Sequence, residues 1–180
     1  MKIMIASDLH GDAICVEKML EIYDRAKCEK LLLLGDILYH GPRNDLPAGY
    51  APKKVIAMLN GMASDIIAVR GNCDAEVDEM VLDFPIHPGC ISLDFNGISI
   101  IATHGHKHGP ENPPNGEYDV LFYGHTHVLK IQESDLGASF INPGSLSIPK
   151  EGNPCSLAIL DGRRVDIFDL DMNRITGADF

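Results

Sequence analysis

Lys2-Ile3-Met4-Ile5-Ala6-Ser7-Asp8-Leu9-His10 begins as an apolar run and ends in a carboxylate and an imidazole. The run alternates too little for a strand with one wet face, so it reads as a strand buried on both sides. The same arrangement recurs four times. Leu31 to Leu34 ends in Gly35-Asp36, Ile66 to Val69 in Arg70-Gly71-Asn72-Cys73-Asp74, Ile98 to Ala102 in Thr103-His104-Gly105-His106, and Val120 to Tyr123 in Gly124-His125-Thr126-His127. Runs this short suit strands rather than helices. Between the first three lie helical spacings, Val16, Met19, Leu20, Tyr23 and then Val55, Met58, Leu59, Met62, each following i, i+3, i+4, i+7. Strand, helix, strand, helix, strand through residue 70 predicts a parallel sheet. Further on, Asp94-Phe95-Asn96-Gly97 and Asp161-Gly162 separate apolar runs with hairpin signals, so the second half is expected to be mainly antiparallel. The economical architecture is an α/β fold in which two mixed β-sheets pack as a sandwich flanked by helices. Ligands collect beyond the carboxyl ends of strands in such sheets, so the five polar strand ends are expected to converge on one site.

A chain of 180 residues, 45% of them hydrophobic, suits a single domain over 1–180 with one sizeable core. No linker, repeat or low-complexity segment divides it. Fifteen Lys and Arg against 26 Asp and Glu leave a net charge of −11, which repels nucleic-acid phosphates and excludes broad DNA or RNA binding. Aromatic residues are few and Trp is absent, so platforms for stacking bases are scarce. No run of about 18 apolar residues exists to span a membrane. The apolar start is too short for a signal-peptide core and runs straight into Asp8 and His10, so a cytoplasmic location is expected. The odd number of cysteines, with no C-x-x-C spacing, agrees with a reducing compartment. Cys15, Cys28, Cys90 and Cys155 are expected to be small core residues.

Of the eight histidines, five occupy the strand ends: His10, His104, His106, His125 and His127. A single histidine is more often a surface or hydrogen-bonded residue than a ligand; the clustering reverses that judgement. Imidazole with carboxylate and Asn makes a mixed nitrogen and oxygen environment that suits Mn, Fe or Zn and disfavours Ca or Mg. If the stretches are extended, side chains at i and i+2 share a face. Asp8 then points with His10, His104 with His106, and His125 with His127. Asp36, ending the second strand, falls between them, where a carboxylate can bridge two cations. Two cations about 3.5–4 Å apart form a clamp suited to in-line phosphoryl displacement.

Asp8-x-His10, Gly35-Asp36 followed by Gly41, Gly71-Asn72-x-Asp74, His104-Gly-His106 and Gly124-His125-x-His127 resemble, in this order, the motifs of the calcineurin-like metallophosphoesterases. Each piece alone is weak; five in order, each after an apolar run, are specific. The stretches 35–44, 68–74 and 142–145 resemble the small bacterial YfcE-type phosphodiesterases in particular. The resemblance implies an α/β/β/α fold, two divalent ions with manganese first and Zn, Fe or Ni as alternatives, and a hydroxide bridging them as nucleophile. It also implies a division of ligands: Asp8, His10, Asp36 and His127 for one metal, and Asp36, Asn72, His104 and His125 for the other. Beside these, Asn72, Cys73, Asp74 and His106 are the candidate catalytic residues. Many relatives carry His where Cys73 stands, and that His is thought to protonate the leaving group. With Cys73 there, good leaving groups are expected to be favoured, since general acids contribute about 10²–10⁴-fold. A cysteine nucleophile is the competing reading, and the metal ligands already explain the site without it.

His106 is expected at the phosphate or behind a ligand, Asp74 orienting neighbours or capping the next segment, and Arg70 bracing the site as a buried ion pair. His40 and Arg43 stay open between a site role and a surface role. His87 and His108 are read as surface residues, and Asn142-Pro143-Gly144-Ser145 as a tight turn. The expected partner is a small phosphodiester, with no nucleic acid and no membrane. A homodimer or homotetramer is a further expectation that the resemblance carries. Two alternatives remain: a phosphomonoesterase, which needs more positive groups for a dianion, and a catalytically weak scaffold, the use to which the retromer subunit puts this fold. All seven ligand positions carry competent residues, which favours the enzyme.

Overall fold

Strand β1 (Lys2–Ala6) lies mid-sheet, buried on both sides, because its alternate residues feed two separate cores. Met4 and Ala6 join Leu31, Leu33 and Ala68 against helices, while Ile3 and Ile5 join Leu32, Leu34 and Val69 against a second sheet. The computed structural model describes residues 2–134 and 137–180. Its seven-stranded sheet contains β1, β2 (Lys30–Leu33), β3 (Ile66–Val69) and β4 (Ile86–His87) in parallel. It continues from the other edge of β1 through antiparallel β10 (Ser156–Asp161), β11 (Arg164–Asp169) and β12 (Arg174–Asp179). The second sheet has the order β5 (Cys90–Phe95), β6 (Ile98–Thr103), β7 (Val120–Phe122), β9 (Ser139–Asn142), β8 (Lys130–Glu133).

The two mixed sheets form the expected sandwich. Its middle layer places Ile98, Ile100, Val120, Phe122 and Ile141 of the second sheet against the first. Fully burying one such side chain is worth about 1.5–3 kcal/mol, so this layer and the helical one dominate the cohesion. The helices are few, and both longer ones pack on one flank: α1 (Ala13–Ala26) through Val16, Met19 and Ile22, and α2 (Pro52–Asn60) through Val55 and Leu59. Asp12 caps α1 by accepting the Cys15 N–H at 2.9 Å, and Lys27 closes it in the left-handed region. Among the described residues, the outer face of the second sheet carries a small cluster of Leu121, Tyr123, Ala138 and Phe140 under Tyr118 instead of a helix.

Both hairpins form, and Asn96 and Gly97 take the positive φ of a tight turn. The expectation of a mainly antiparallel second half holds for the pairs β5–β6, β8–β9, β10–β11 and β11–β12 and needs correcting only at the centre of the second sheet, where β6, β7 and β9 run parallel. The connections of the parallel strands are a loop and a returning edge strand, which leave no helical period in the sequence. This correction bears on the site, because parallel strands bring the ends of β6 and β7 to the same edge as those of β1, β2 and β3. The cysteine expectation also fails in part. Cys28 is buried, Cys15 and Cys155 are half-buried, and Cys90 is exposed at the head of an edge strand.

Candidate metal centre

The five polar strand ends meet, though not through extended backbone. Asp8, His10, Asp36, His125 and His127 all have φ between 45° and 67°, in the left-handed region. Asp and His tolerate that region better than most residues, and backbone strain of this kind clusters at functional sites. The turns therefore fold the side chains back over the strand ends, where an extended chain would have splayed them. Two glycines make room. A Cβ on Gly71 would overlap Asp36 Oδ1, and one on Gly124 would overlap Ser7 Oγ.

Each buried carboxylate is split in function between its two oxygens. Asp8 Oδ2 accepts from Ser7 Oγ at 2.6 Å and from the His125 N–H at 3.0 Å, while Asp8 Oδ1 is buried without a hydrogen-bond partner among the described residues. Asp36 Oδ1 accepts the Cys73 N–H at 2.8 Å. Its Oδ2 lies between two imidazoles, 3.8 Å from His10 Nε2 and 3.5 Å from His104 Nε2. The oxygens left over face the same small space.

The histidines are fixed in a complementary way. His10, His104 and His127 direct Nδ1 at the carbonyls of Tyr39, Leu34 and Ile148, at 2.8, 2.7 and 2.8 Å. A carbonyl only accepts, so each Nδ1 carries the proton, and in the neutral ring each Nε2 presents a lone pair. His10 Nε2 and His127 Nε2 then stand 3.3 Å apart, and His104 Nε2 stands 3.0 Å from Asn72 Oδ1. Lone pairs converging like this, each backed by a carbonyl, are the arrangement that a metal ion satisfies. Asp8, His10 and His127 form one group with ligand atoms within 4.8 Å of one another, and Asp8, Asp36 and His104 form another. The ring of His125 lies 5.1 Å from that of His104. The orphaned Asp8 oxygen, the opposed lone pairs and the mixed donor set fit divalent cations.

Titration follows from this packing. Burial alone would raise the Asp8 carboxyl; in the metal-free protein the facing imidazoles of His10, His127 and His104 overcome it when they take up a proton on Nε2, and they hold Asp8 below the usual carboxylate range. Burial lowers His125, reinforced by neighbouring His104, and lowers His106 in the same way. Burial, with Asp36 beside it, pushes the Cys73 thiol up to about 12.

Asp74 accepts from the N–H groups of Asp36, Ile37 and Gly71 at 2.8, 2.8 and 2.7 Å, which ties together the two turns that carry Asp36 and Asn72. The cap of the short α3 (Glu76–Glu79) belongs instead to Asp78, which accepts from the Ala75 N–H. His106 stands 5.3 Å from His104, ring to ring, and its buried Nδ1 has no hydrogen-bond partner among the described residues. Arg70 meets the expectation in part: it is half-buried and its ion pair is with Glu79 at 3.3 Å rather than within the centre, but its Nε donates to the Asp74 carbonyl at 3.3 Å and so braces that turn. His87 is exposed in β4, whereas His108 is half-buried with its Nδ1 sealed from solvent. Asn142 to Ser145 is more than a tight turn. It is buried, and Ser145 Oγ donates to the Asp8 carbonyl at 2.8 Å, with Ser147 Oγ doing the same at 3.2 Å. The hydroxyls of Ser7 and Ser147 escaped the sequence reading, and Ser145 was read only as part of a turn, because a single serine hydroxyl carries no spacing signal.

Two open cavities flank the turn that carries His125 and His127, and Thr126 lines both. The one over Asp36, Asn72 and Cys73 has a volume of about 710 Å³; the one beside His106 has about 890 Å³.

The sequence model of the calcineurin-like phosphoesterase superfamily domain matches residues 1–164. The chain belongs to this superfamily. Within it, phosphodiesterase YfcE of Escherichia coli K12 is 48% identical over 172 residues, which cover 95% of this chain and 93% of that protein. Phosphodiesterase MJ0936 of Methanocaldococcus jannaschii is 30% identical over 169 residues, covering 89% and 93%. The solved structure of YfcE, a phosphoesterase from E. coli, matches with a TM-score of 0.95 and 45% identity over 99% of each chain. Vacuolar protein sorting 29 of Cryptosporidium parvum, at 20% identity and a TM-score of 0.67 over 99% and 97%, shares the superfamily's fold alone. No helix among the described residues is long and apolar enough to cross a membrane.

Proposed function

We propose that this member of the superfamily is a metal-dependent phosphodiesterase that hydrolyses small phosphodiesters at a two-metal centre. The observation that carries the reading is the split of Asp8 and Asp36. Each has one oxygen engaged by N–H or O–H donors, and the other turned toward unprotonated imidazole nitrogens. Asp8, His10, Asp36 and His127 would hold one divalent ion, and Asp36, Asn72, His104 and His125 the other. Manganese leads the candidates, with Zn, Fe and Ni after it. Bound there, the pair would lower the pKa of a water to serve as nucleophile and offset charge building on the phosphoryl oxygens.

The chain's own residues do the rest. Asp74 keeps the Asp36 and Gly71 turns in register, and the Cys73 N–H restrains the Asp36 oxygen that is not needed for a cation. His106, with a free buried Nδ1, stands where it can contact a phosphoryl oxygen. A diester has two arms, and the two cavities beside the His125–His127 turn offer a place for each. The names of YfcE and MJ0936 support a diester over a monoester, and YfcE supports it over most of the chain. A cytoplasmic location belongs to the same proposal.

The test is hydrolysis of an activated aryl phosphodiester by protein reconstituted with Mn²⁺, beside the matching monoester. The diester is expected to turn over faster. Asp36→Asn is expected to abolish both manganese binding and hydrolysis; unchanged manganese-dependent turnover in that variant would refute the bridging role. Tight metal binding with no turnover on any ester would favour the scaffold alternative.

A further inference from the structure

The cavity over Asp36, Asn72 and Cys73 differs in charge from its neighbour across Thr126. Its lining includes Arg43 and Lys150, and Asp36, the proposed shared ligand, is its one carboxylate. The cavity beside His106 also has two cations in its lining, Lys107 and Lys130, but Glu111 and Glu151 line it with them. In a chain of net charge −11, most arginines are committed to carboxylates: Arg70, Arg163, Arg164 and Arg174 each hold one. Arg43 and Lys150 hold none among the described residues, and both are exposed to the cavity they line.

Their backbones are fixed, although their side chains are free. Lys150 donates its N–H to the carbonyl of His127 at 3.0 Å, one hydrogen bond from a proposed ligand, and its own carbonyl accepts from Asn153. Arg43 rides a turn closed by the Asn44 N–H on the Gly41 carbonyl at 3.3 Å and by Asn44 Nδ2 on the His40 carbonyl at 2.8 Å. Two cations from different parts of the chain thus face one cavity whose floor is the metal centre.

Resting on the phosphodiesterase reading, we propose that Arg43 and Lys150 determine specificity for a phosphodiester with a second anionic group, carboxylate or phosphate, on the arm lying in this cavity. The uncharged or polar arm lies in the balanced cavity beside His106. Two solvent-exposed ion pairs supply a preference of about tenfold, and salt weakens it because both are screened.

The experiment uses the manganese-reconstituted full chain and p-nitrophenyl phosphodiesters that share one leaving group. Their second arms are ethyl, 2-carboxyethyl, 2-phosphoethyl and 2-(trimethylammonio)ethyl. In the wild-type protein, kcat/KM is expected to be about tenfold higher for the two anionic arms than for ethyl. The cationic arm is expected to be poorest, and the spread to shrink in high salt. The Arg43→Gln/Lys150→Gln double variant is expected to bring the anionic arms to within about twofold of ethyl, whereas Lys27→Gln, a change at another exposed lysine, keeps the wild-type order. Preference for carboxylate over phosphate, or the reverse, identifies the anion. Equal kcat/KM for ethyl and anionic arms in the wild type, or a preference that survives the double variant, overturns the inference and leaves the phosphodiesterase reading intact. Absence of turnover on all four overturns both.

Discussion

Asp74 touches no proposed ligand through its side chain except by holding backbone, yet three N–H groups of two turns depend on it. Asp74→Asn keeps the shape but replaces one acceptor oxygen with an NH₂ group facing an N–H. The expected cost is about 1–3 kcal/mol in urea unfolding of the metal-free protein, because a buried donor is left unsatisfied. Metal affinity should fall with it, since Asp36 loses its support. An Asn variant with wild-type stability and metal affinity would show that the three bonds do not position the turn. At this scale the sequence was informative about which residues take part and silent about how they meet. Asp-x-His and His-x-His spacing pointed to shared faces, and the side chains do converge. The cause is left-handed backbone at Asp8, His10, His125 and His127, not an extended chain. The supporting hydroxyls of Ser7 and Ser145 act across 1 and 137 residues of sequence, and neither contact has a local signature.

The site depends on how closely the ends of neighbouring elements approach. The turn after β7 is pressed onto the turn after β1 so that His125 can donate its N–H to Asp8 Oδ2. Gly124 permits that approach, and a Cβ there would overlap Ser7 Oγ. Gly124→Ala is expected to push the two turns apart at a cost of about 1–3 kcal/mol. Metal affinity is expected to fall at least tenfold, while far-UV circular dichroism stays unchanged; isothermal titration with Mn²⁺ measures the loss. Wild-type affinity in that variant would mean that the turns do not need their close contact. The elements themselves were largely legible. The buried runs, the two amphipathic helices and the Asn-Gly hairpin all carry local periodicity or turn chemistry. The parallel pairing of β6, β7 and β9 was not legible, because pairing direction is set by connections that have no period of their own.

Across the whole molecule, the proposed metal centre lies at one edge of the sandwich and an ion-paired clasp at the other. Asp119, just before β7, accepts from Arg163 at 2.6 Å and from the Ser99 N–H at 2.8 Å, and Arg163 also donates to Phe180 O at the chain end. The clasp therefore joins the two sheets far from the strand ends that bear the proposed ligands. Arg163 beside it, helped by the Ser99 N–H, holds the Asp119 carboxyl below the usual range. A depressed carboxyl contributes its full stabilisation above the unfolded value of about 3.9 and loses it as pH falls through the folded value. Arg163→Ala is expected to cost about 0.2–1 kcal/mol at neutral pH, the modest worth of an exposed pair. The difference from wild type should narrow below about pH 4, with Mn²⁺ affinity unchanged throughout. A constant difference down to acid pH would place the effect in packing. The −11 charge also takes on a more local meaning. Asp8 and Asp36 are buried, so their charges face the proposed cations rather than the solvent, and the net negative charge of the chain is carried elsewhere. If two ions act together at the proposed centre, turnover of bis(p-nitrophenyl) phosphate as Mn²⁺ is added stepwise to the metal-free protein is expected to rise until two equivalents are bound. Full activity at one equivalent, or none at any ratio, would contradict the two-ion proposal.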